Sequence, residues 1–318
     1  MTEPLTPEGD AELDAEALAF EVSAVAGVTA GLGAALGPVI AGMIAAFAGG
    51  ILGSALAERI VKLLRAVAWP QMNPRLQEVA VAAVDLGVDR AVRTLDPQDA
   101  RKVRRVRGPV LEVPDLDAMT GVRVVQAADL ARTLKLQSKT DLNAVIGRVS
   151  SVKSRADGQV RWTAHEGMNA GVSAVAERLG AALLWIPERD ACLACLAHAG
   201  WSVRPGETFP AGLTYGDKPI REDGVLYPPL HPGCRCKVVV WRGEVGPPPE
   251  MRARVDAAAR LAAEARRSVV YGWTEHESQA ATLRAMSRLL RRGAALPASV
   301  ERRARELVRQ GRTLDQPT

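Results

Sequence analysis

Helix-capping residues divide the first half of the chain into predicted helices. Asn73 and Asp96 each stand directly before a proline, an arrangement typical of a helix N-terminus. Ser138 with Asp141 predicts a third helix start. The pattern therefore indicates a largely α-helical chain up to about residue 180.

The helical pattern changes to a strand pattern after residue 180. We expect Asp157 and Gly158 to interrupt the helix that begins near Ser138, and a longer helix to end at Gly180, a favourable C-terminal stop. Residues 181–186 are a short apolar run closed by a proline, which predicts a β-strand.

Residues 22–57 form a long run in which none of the 36 residues is charged and 19 are Ala or Gly. Glycines recur at four-residue spacing, which lets helices approach closely. Pro38 divides the run, so we expect a helical hairpin with its two arms joined there. Such a run is either buried against itself or protein partners, or contacts a membrane at some stage, since about 20 apolar residues suffice to span one.

These patterns predict an α+β fold class, with mainly α-helical N-terminal and C-terminal parts around a small α+β domain. The composition, 47% hydrophobic and 24% charged, is that of a folded protein. The aromatic share of 4% excludes a stacking platform for single-stranded nucleic acid. We expect five segments: an acidic segment 1–21, an uncharged Gly/Ala-rich helical hairpin 22–66, a helical region with a basic cluster 67–119, a Cys/His domain 120–245, and an arginine-rich helical tail 246–318.

Charge is concentrated in three places. Residues 1–21 carry seven acids and no base, which is the wrong charge for a secretory signal. Residues 251–318 carry 14 arginines against seven acids, and residues 101–107 hold five bases. Solvated helix faces explain such charge as well as phosphate contact does. No helix pattern suited to a DNA groove accompanies it, so any DNA contact should be independent of base sequence.

The four cysteines of the chain carry its most specific chemistry. They form two pairs, Cys192-x-x-Cys195 and Cys234-x-Cys236, and His231 lies three residues before the second pair. Two such knuckles suit a tetrahedral metal ion, with His231 and Cys236 competing for the fourth position and His231 favoured. We therefore expect Zn²⁺ here, with disulfides and free thiols as the alternatives.

The metal would close a loop that has little core of its own. The segment between the knuckles is rich in glycine and proline, so a metal clip worth about 10 kcal/mol or more would stabilise it. No His-Glu-x-x-His motif is present, which argues against a hydrolytic zinc.

The knuckle sequences resemble the hallmark of the phage Mu F-like minor head protein family. The matching residues are Cys192-Leu-Ala-Cys195 and Tyr227-Pro-Pro-Leu-His231-Pro-Gly-Cys234-Arg-Cys236, with Asn169-Ala-Gly171 and Trp185 upstream. Thr163 stands where the family has a glutamate. The resemblance covers about residues 120–245.

The resemblance implies a minor capsid protein of a tailed bacteriophage that is bound near the portal and aids head assembly. The implied location is the virion, in the capsid interior near the portal, with the host cytoplasm during assembly. Portal and other head proteins would be its partners, in multiple copies per head. The basic residues and the uncharged run 22–57, which are not part of the resemblance, add a non-specific DNA contact and a transient contact with the host membrane. Co-ejection with the DNA is also implied.

Three alternatives remain open on the sequence alone. One is a membrane-active DNA-ejection protein, which the uncharged run 22–57 favours. Another is a toxin or hydrolase-type enzyme, because relatives carry such domains, but no nucleophile elbow or phosphate loop is present and we expect no enzyme. The third is a nucleic-acid-binding module ordered by zinc.

Overall fold

The computed structural model describes residues 7–187, 195, 198–210, 224–243, 245–246, 305–306 and 308–310. Within these ranges the helices and strands are α1 (Pro7–Ala48), α2 (Gly53–Arg65), α3 (Asn73–Arg93), α4 (Pro97–Val103), α5 (Leu116–Thr133), α6 (Lys139–Leu179), β1 (Ala182–Ile186), β2 (Ser202–Val203) and β3 (Lys237–Trp241). The described chain is thus mostly helical with a small antiparallel sheet. The predicted helical tail lies almost wholly outside the described residues.

Helix α1 runs through Pro38 without a break, so the expected hairpin turn at this residue is wrong. Pro38 is exposed, so the carbonyl that loses its helical hydrogen-bond partner can be hydrated. Leu36 and Val39, on either side of it, are both buried. Burial of this continuous apolar face offsets the proline's penalty.

The chain instead turns at residues 49–52, and α2 then packs against α1. The amide of Ile51 donates to the Ala46 carbonyl at 3.0 Å, and Gly50 adopts a positive φ of 81°. This conformation is one that glycine adopts without strain. A pair of packed helices is therefore formed, with its turn eleven or more residues beyond the predicted place.

One face of α1 is anchored on α6 by polar contacts. The Arg161 guanidinium pairs with the Glu21 carboxylate at 2.9 Å, and Glu21 is only 1% exposed. The Thr29 hydroxyl donates to Asp157 at 2.7 Å. Apolar residues on the same face are buried at helical spacing, including Ala24, Val28, Leu32, Leu36, Val39 and Met43.

The opposite face of α1 is exposed and carries no charge from Leu18 to Ala48. Eight exposed residues follow alternating spacings of four and three: Ser23, Gly27, Ala30, Ala34, Gly37, Ala41, Ile44 and Ala48. The stretch Ala15–Ala48 is long enough to cross a membrane, with a mean hydropathy of 1.8, a property that buried core helices share. Only 28% of that apolar window is fully buried, and the rest is partly or fully exposed.

Helix α6 is continuous over 41 residues, and the predicted interruption at Asp157 and Gly158 is wrong. Asp157 is held inside the helix by Thr29 and by Lys153, whose ammonium lies 2.6 Å from the carboxylate. These contacts offset the weak helix preference of the Asp-Gly pair.

Three predicted helix ends are confirmed. Helix α3 begins at Asn73, but the Oδ1 atom of this residue accepts from the Asp117 amide, outside its own helix. Asp96 accepts hydrogen bonds from two backbone N–H groups at the start of α4. Ser138 and Asp141 cap each other at the start of α6, at 3.1 and 3.3 Å. Gly180 ends α6 with a φ of 61°.

The predicted strand is β1, which forms the centre of a three-stranded antiparallel sheet in the order β2-β1-β3. Trp185 pairs with Val238 across β1 and β3, and Leu183 pairs with Val203 across β1 and β2. The sheet packs in a core with Trp185, Phe209 and the buried cysteines.

The chain groups into two compact units that are each discontinuous in sequence, whereas the five predicted segments are continuous. The first comprises Met1–Ala82 with Val110–Ala164, and the second Ala83–Pro109 with His165–Thr318. In the first unit, α1, α2 and α5 share a core with the early turns of α6. The second unit contains the sheet and the cysteines.

Two glycines bring the α3 and α6 backbones into contact within the second unit. A Cβ atom at Gly87 would lie 2.0 Å from the Met168 carbonyl oxygen, and one at Gly171 would lie 2.2 Å from the Val84 carbonyl oxygen. Neither position can hold a side chain unless the helices separate.

Candidate metal centre

A tight turn before β3 presents the second cysteine knuckle. The Cys234 amide donates to the His231 carbonyl at 2.9 Å, and Gly233 within the turn has a φ of 79°. Strand β3 begins immediately after Cys236. The knuckle is therefore fixed by a turn on one side and by the sheet on the other.

Three buried thiols meet at this turn, one from the first knuckle and two from the second. The sulfur atoms of Cys195, Cys234 and Cys236 all lie within 4.8 Å of one another. The Cys195 and Cys234 sulfurs are 3.5 Å apart, well beyond the 2.05 Å of a disulfide, and all three are free thiols. Sulfur ligands of one tetrahedral zinc ion are about 3.8 Å apart, so the group is of a size to hold a metal ion.

His231 lies against the same group of sulfurs. Its Nε2 atom is 3.2 Å from the Cys195 sulfur, and its Nδ1 atom is 2.9 Å from the Pro232 carbonyl oxygen. Because a carbonyl can only accept, the Nδ1 atom carries the hydrogen in this contact. In the neutral ring the Nε2 lone pair then faces the thiols, which is the tautomer that a metal ligand needs.

The environment favours the thiolate form of Cys234. Contacts with the Cys195 and Cys236 thiols hold the pKa of the Cys234 thiol well below its ordinary value, and His231 acts in the same direction when its ring is protonated. Burial opposes them but is the weaker influence. A thiolate is the form that binds a metal.

Of the five predicted metal ligands, the structure brings Cys195, Cys234 and Cys236 together and places His231 beside Cys195. Cys192 lies outside the described residues. Both residues that we expected to compete for the fourth position, His231 and Cys236, therefore lie near the Cys195 sulfur.

The upstream residues that carry the family resemblance lie close to this centre. Trp185 is fully buried, with its ring centroid 4.8 Å from that of His198 and 5.0 Å from that of Phe209. His198 is therefore a core residue beside Trp185, and its Nε2 atom lies 3.3 Å from the Pro210 carbonyl oxygen.

Helix α6 meets the second knuckle through Asn169, whose side chain hydrogen-bonds the backbone of Cys236. Burial raises the pKa of the Tyr227 phenol, and the charge of Glu166 on α6 acts in the same direction. The sequence marked Asn169 only as a match to the family. Its contact with the knuckle could not be found from spacing, because 67 residues separate the two.

The basic cluster 101–107 is an exposed surface of the second unit. Four arginines are exposed: Arg101, Arg104, Arg105 and Arg107. Lys102 pairs instead with the buried carboxylate of Asp99, which also pairs with Arg242. The four arginines are thus accessible to phosphates, whereas Lys102 stabilises the fold through its ion pair with Asp99.

Comparison of this chain with protein-family models, curated proteins and solved structures finds no match.

Proposed function

We propose that this chain is a minor head protein of a tailed bacteriophage, of the phage Mu F-like type, with a zinc-clipped domain. The observation that supports this is the gathering of Cys195, Cys234 and Cys236 with His231. These are the same residues that carry the resemblance in sequence. A motif whose members converge on one point is better explained by a shared site than by chance spacing.

Zinc is the proposed metal because of the donors. Three thiolates with one imidazole nitrogen favour Zn²⁺ over magnesium or calcium, which prefer oxygen ligands. Four protein donors fill a tetrahedral shell and leave no position for substrate. The proposed role is therefore structural, and we propose that the protein is not an enzyme.

The proposed partners are the portal and other head proteins, with the protein inside the capsid near the portal in multiple copies. The exposed face of α1 supports a role in packing, because Gly27 on this face has no internal explanation. A Cβ atom at Gly27 would meet no atom within 4 Å, although glycine weakens a helix. Close packing against a neighbouring helix would supply a reason for this glycine.

A second candidate function is a membrane-active ejection protein. The observation that favours it is the same uncharged outer face of α1, which is apolar over a length sufficient to span a bilayer. The polar contacts of Glu21 and Thr29 with α6 would have to break for α1 to insert. Packing among head proteins keeps these contacts, so we favour it.

Purified phage heads test the head-protein proposal. The protein should copurify with intact heads through density-gradient sedimentation and should be missing from heads assembled without the portal. A chain that is absent from gradient-purified heads would rule out the proposal. The genome offers a second check, since a portal gene should lie next to this one.

Elemental analysis tests the metal separately. Protein purified under reducing conditions should contain about one zinc per chain, and Cys234→Ser should lose most of it. His198→Asn is the matched control, because His198 lies in the same core beside Trp185 rather than among the thiols. Zinc below about 0.2 equivalents in the wild-type protein would refute the zinc clip.

A further inference from the structure

The side-chain amide of Asn169 is almost fully buried in the second unit and bonds three backbone groups. Its Nδ2 group donates to the His165 carbonyl at 2.9 Å and to the Cys236 carbonyl at 3.3 Å. Its Oδ1 atom accepts from the Val238 amide at 2.8 Å. Asn169 is 3% exposed, so these bonds are sheltered from water.

Two of these bonds fall on one edge of the chain segment that leads into β3. The carbonyl of residue 236 and the N–H of residue 238 point the same way in an extended chain. Asn169 therefore pairs with this edge as a peptide group of a neighbouring strand would. Val238 also pairs in register with Trp185 of β1.

A side-chain amide can donate to the Cys236 carbonyl and accept from the Val238 amide at the same time, because it carries donors and an acceptor on one carbon. A carboxylate would accept from Val238 but would place negative charge against the Cys236 carbonyl. A leucine has a similar volume and would leave both buried backbone groups without their partner, which is unfavourable.

We propose that Asn169 is a positioning residue of the metal centre. Fixing the carbonyl of Cys236 and the amide two residues later fixes the direction in which the Cys236 side chain leaves the backbone. The sulfur is thereby held beside those of Cys195 and Cys234 before any metal arrives. This inference rests on the metal site of the proposed function.

Metal affinity and the cobalt spectrum of the full chain test this role. We expect Asn169→Asp and Asn169→Leu to bind Zn²⁺ about 10- to 100-fold more weakly in competition with a chelator, the usual effect of losing an outer hydrogen bond at a metal site. Substituted Co²⁺ should show altered ligand-field bands. Asn143, which is exposed on the same helix, supplies the controls, and Asn143→Asp and Asn143→Leu should behave as wild type.

The possible outcomes distinguish a failure of the metal site from a failure of the positioning role of Asn169. If wild-type protein binds neither Zn²⁺ nor Co²⁺, the proposed metal site fails and the positioning role fails with it. If wild type binds but folded Asn169 variants bind equally with an unchanged cobalt spectrum, the metal site stands and the inference is overturned.

A purely structural role gives a different result: lower unfolding stability with unchanged metal affinity, which also overturns the inference. Should Asn169→Leu fail to fold, Asn169→Ser decides, because it fits the same space and keeps a hydroxyl donor. Weaker binding by folded Asn169→Ser would support the inference, and unchanged binding would contradict it.

Discussion

The hydroxyl of Thr29 donates a 2.7 Å hydrogen bond to the carboxylate of Asp157, which joins the middle of α1 to the middle of α6 in the first unit. Thr29 is 1% exposed on a helix that otherwise buries almost only apolar side chains. The contact lies on the inward face of α1, opposite the uncharged exposed face.

Replacing Thr29 by valine should destabilise the protein by about 1–2 kcal/mol, because a hydrogen bond to a charged group is lost while the shape is kept. Denaturant unfolding measures the change. Thr133→Val is the control, since this hydroxyl bonds the Leu130 carbonyl at an exposed helix end. Equal stability of Thr29→Val and wild type would mean that α1 is not held in this way.

Both His231 and Cys236 should be needed for full metal affinity, because each lies beside the Cys195–Cys234 pair. His231→Ala and Cys236→Ser should each weaken zinc binding and shift the cobalt spectrum, the second by loss of sulfur charge-transfer intensity. Competition titrations with a chelator provide the affinities. If the His231→Ala protein keeps wild-type affinity for zinc, His231 is not the fourth ligand of the metal ion.

Alanine at Gly27 should act in opposite directions on folding and on association. Gly27→Ala should stabilise the isolated chain by about 1 kcal/mol, because open space surrounds this position and alanine favours a helix. If a neighbouring helix packs on this face, the same change should weaken self-association or binding to heads. Sedimentation and unfolding experiments separate the two effects.

Gly31 supplies the matched control for Gly27→Ala. A Cβ atom there would lie 2.9 Å from the Pro70 side chain, so Gly31→Ala should not stabilise the protein.

Deleting residues 22–57 addresses the membrane alternative. If the full-length protein is as indifferent to liposomes as the shortened one, that alternative fails.

The exposed arginines at 101, 104, 105 and 107 should bind DNA without regard to its sequence. Affinity should fall by about 0.9 log units per log unit of salt for each phosphate neutralised, and changing all four to glutamine should reduce that slope. Fluorescence titrations at several salt concentrations report it. A strong preference for one sequence, or affinity independent of salt, would contradict the expectation.

Asp115 should make stability depend on pH in the acid range. Hydrogen bonds from the Ala118 backbone and the Asn73 side chain lower the pKa of Asp115 below 3.8. A lowered pKa means that the charged carboxylate stabilises the fold above about pH 4, and that this contribution is lost as pH falls through the lowered pKa. Asp115→Asn should flatten the decline of the melting temperature below about pH 4, and an unchanged decline would refute this.

The sequence predicted the features that local rules determine. Asp96, Ser138 and Gly180 act through neighbours within a few residues, so their caps could be found by inspection. The two wrong predictions, at Pro38 and at Asp157 with Gly158, came from local rules that distant contacts override. Burial of Leu36 and Val39 offsets the proline, and Thr29 holds Asp157.

The candidate site was predicted in its ligand types but not in its support. Cysteine and histidine spacing pointed to Cys195, His231, Cys234 and Cys236 because metal knuckles have short sequence signatures. The bonds from Asn169 to the knuckle join residues far apart in sequence. Such contacts depend on the packing of α6 beside the sheet, which no short pattern encodes.

The backbone contact at Gly87 and Gly171 has a consequence for how this protein can change over evolution. Gly171 stands two residues from Asn169, so a direct contact between the α3 and α6 backbones positions the part of α6 that reaches the knuckle. Apolar residues elsewhere in this core can exchange for one another, since repacking them does not alter that contact. Close homologues should therefore differ freely at buried valines and alanines while both glycines stay fixed.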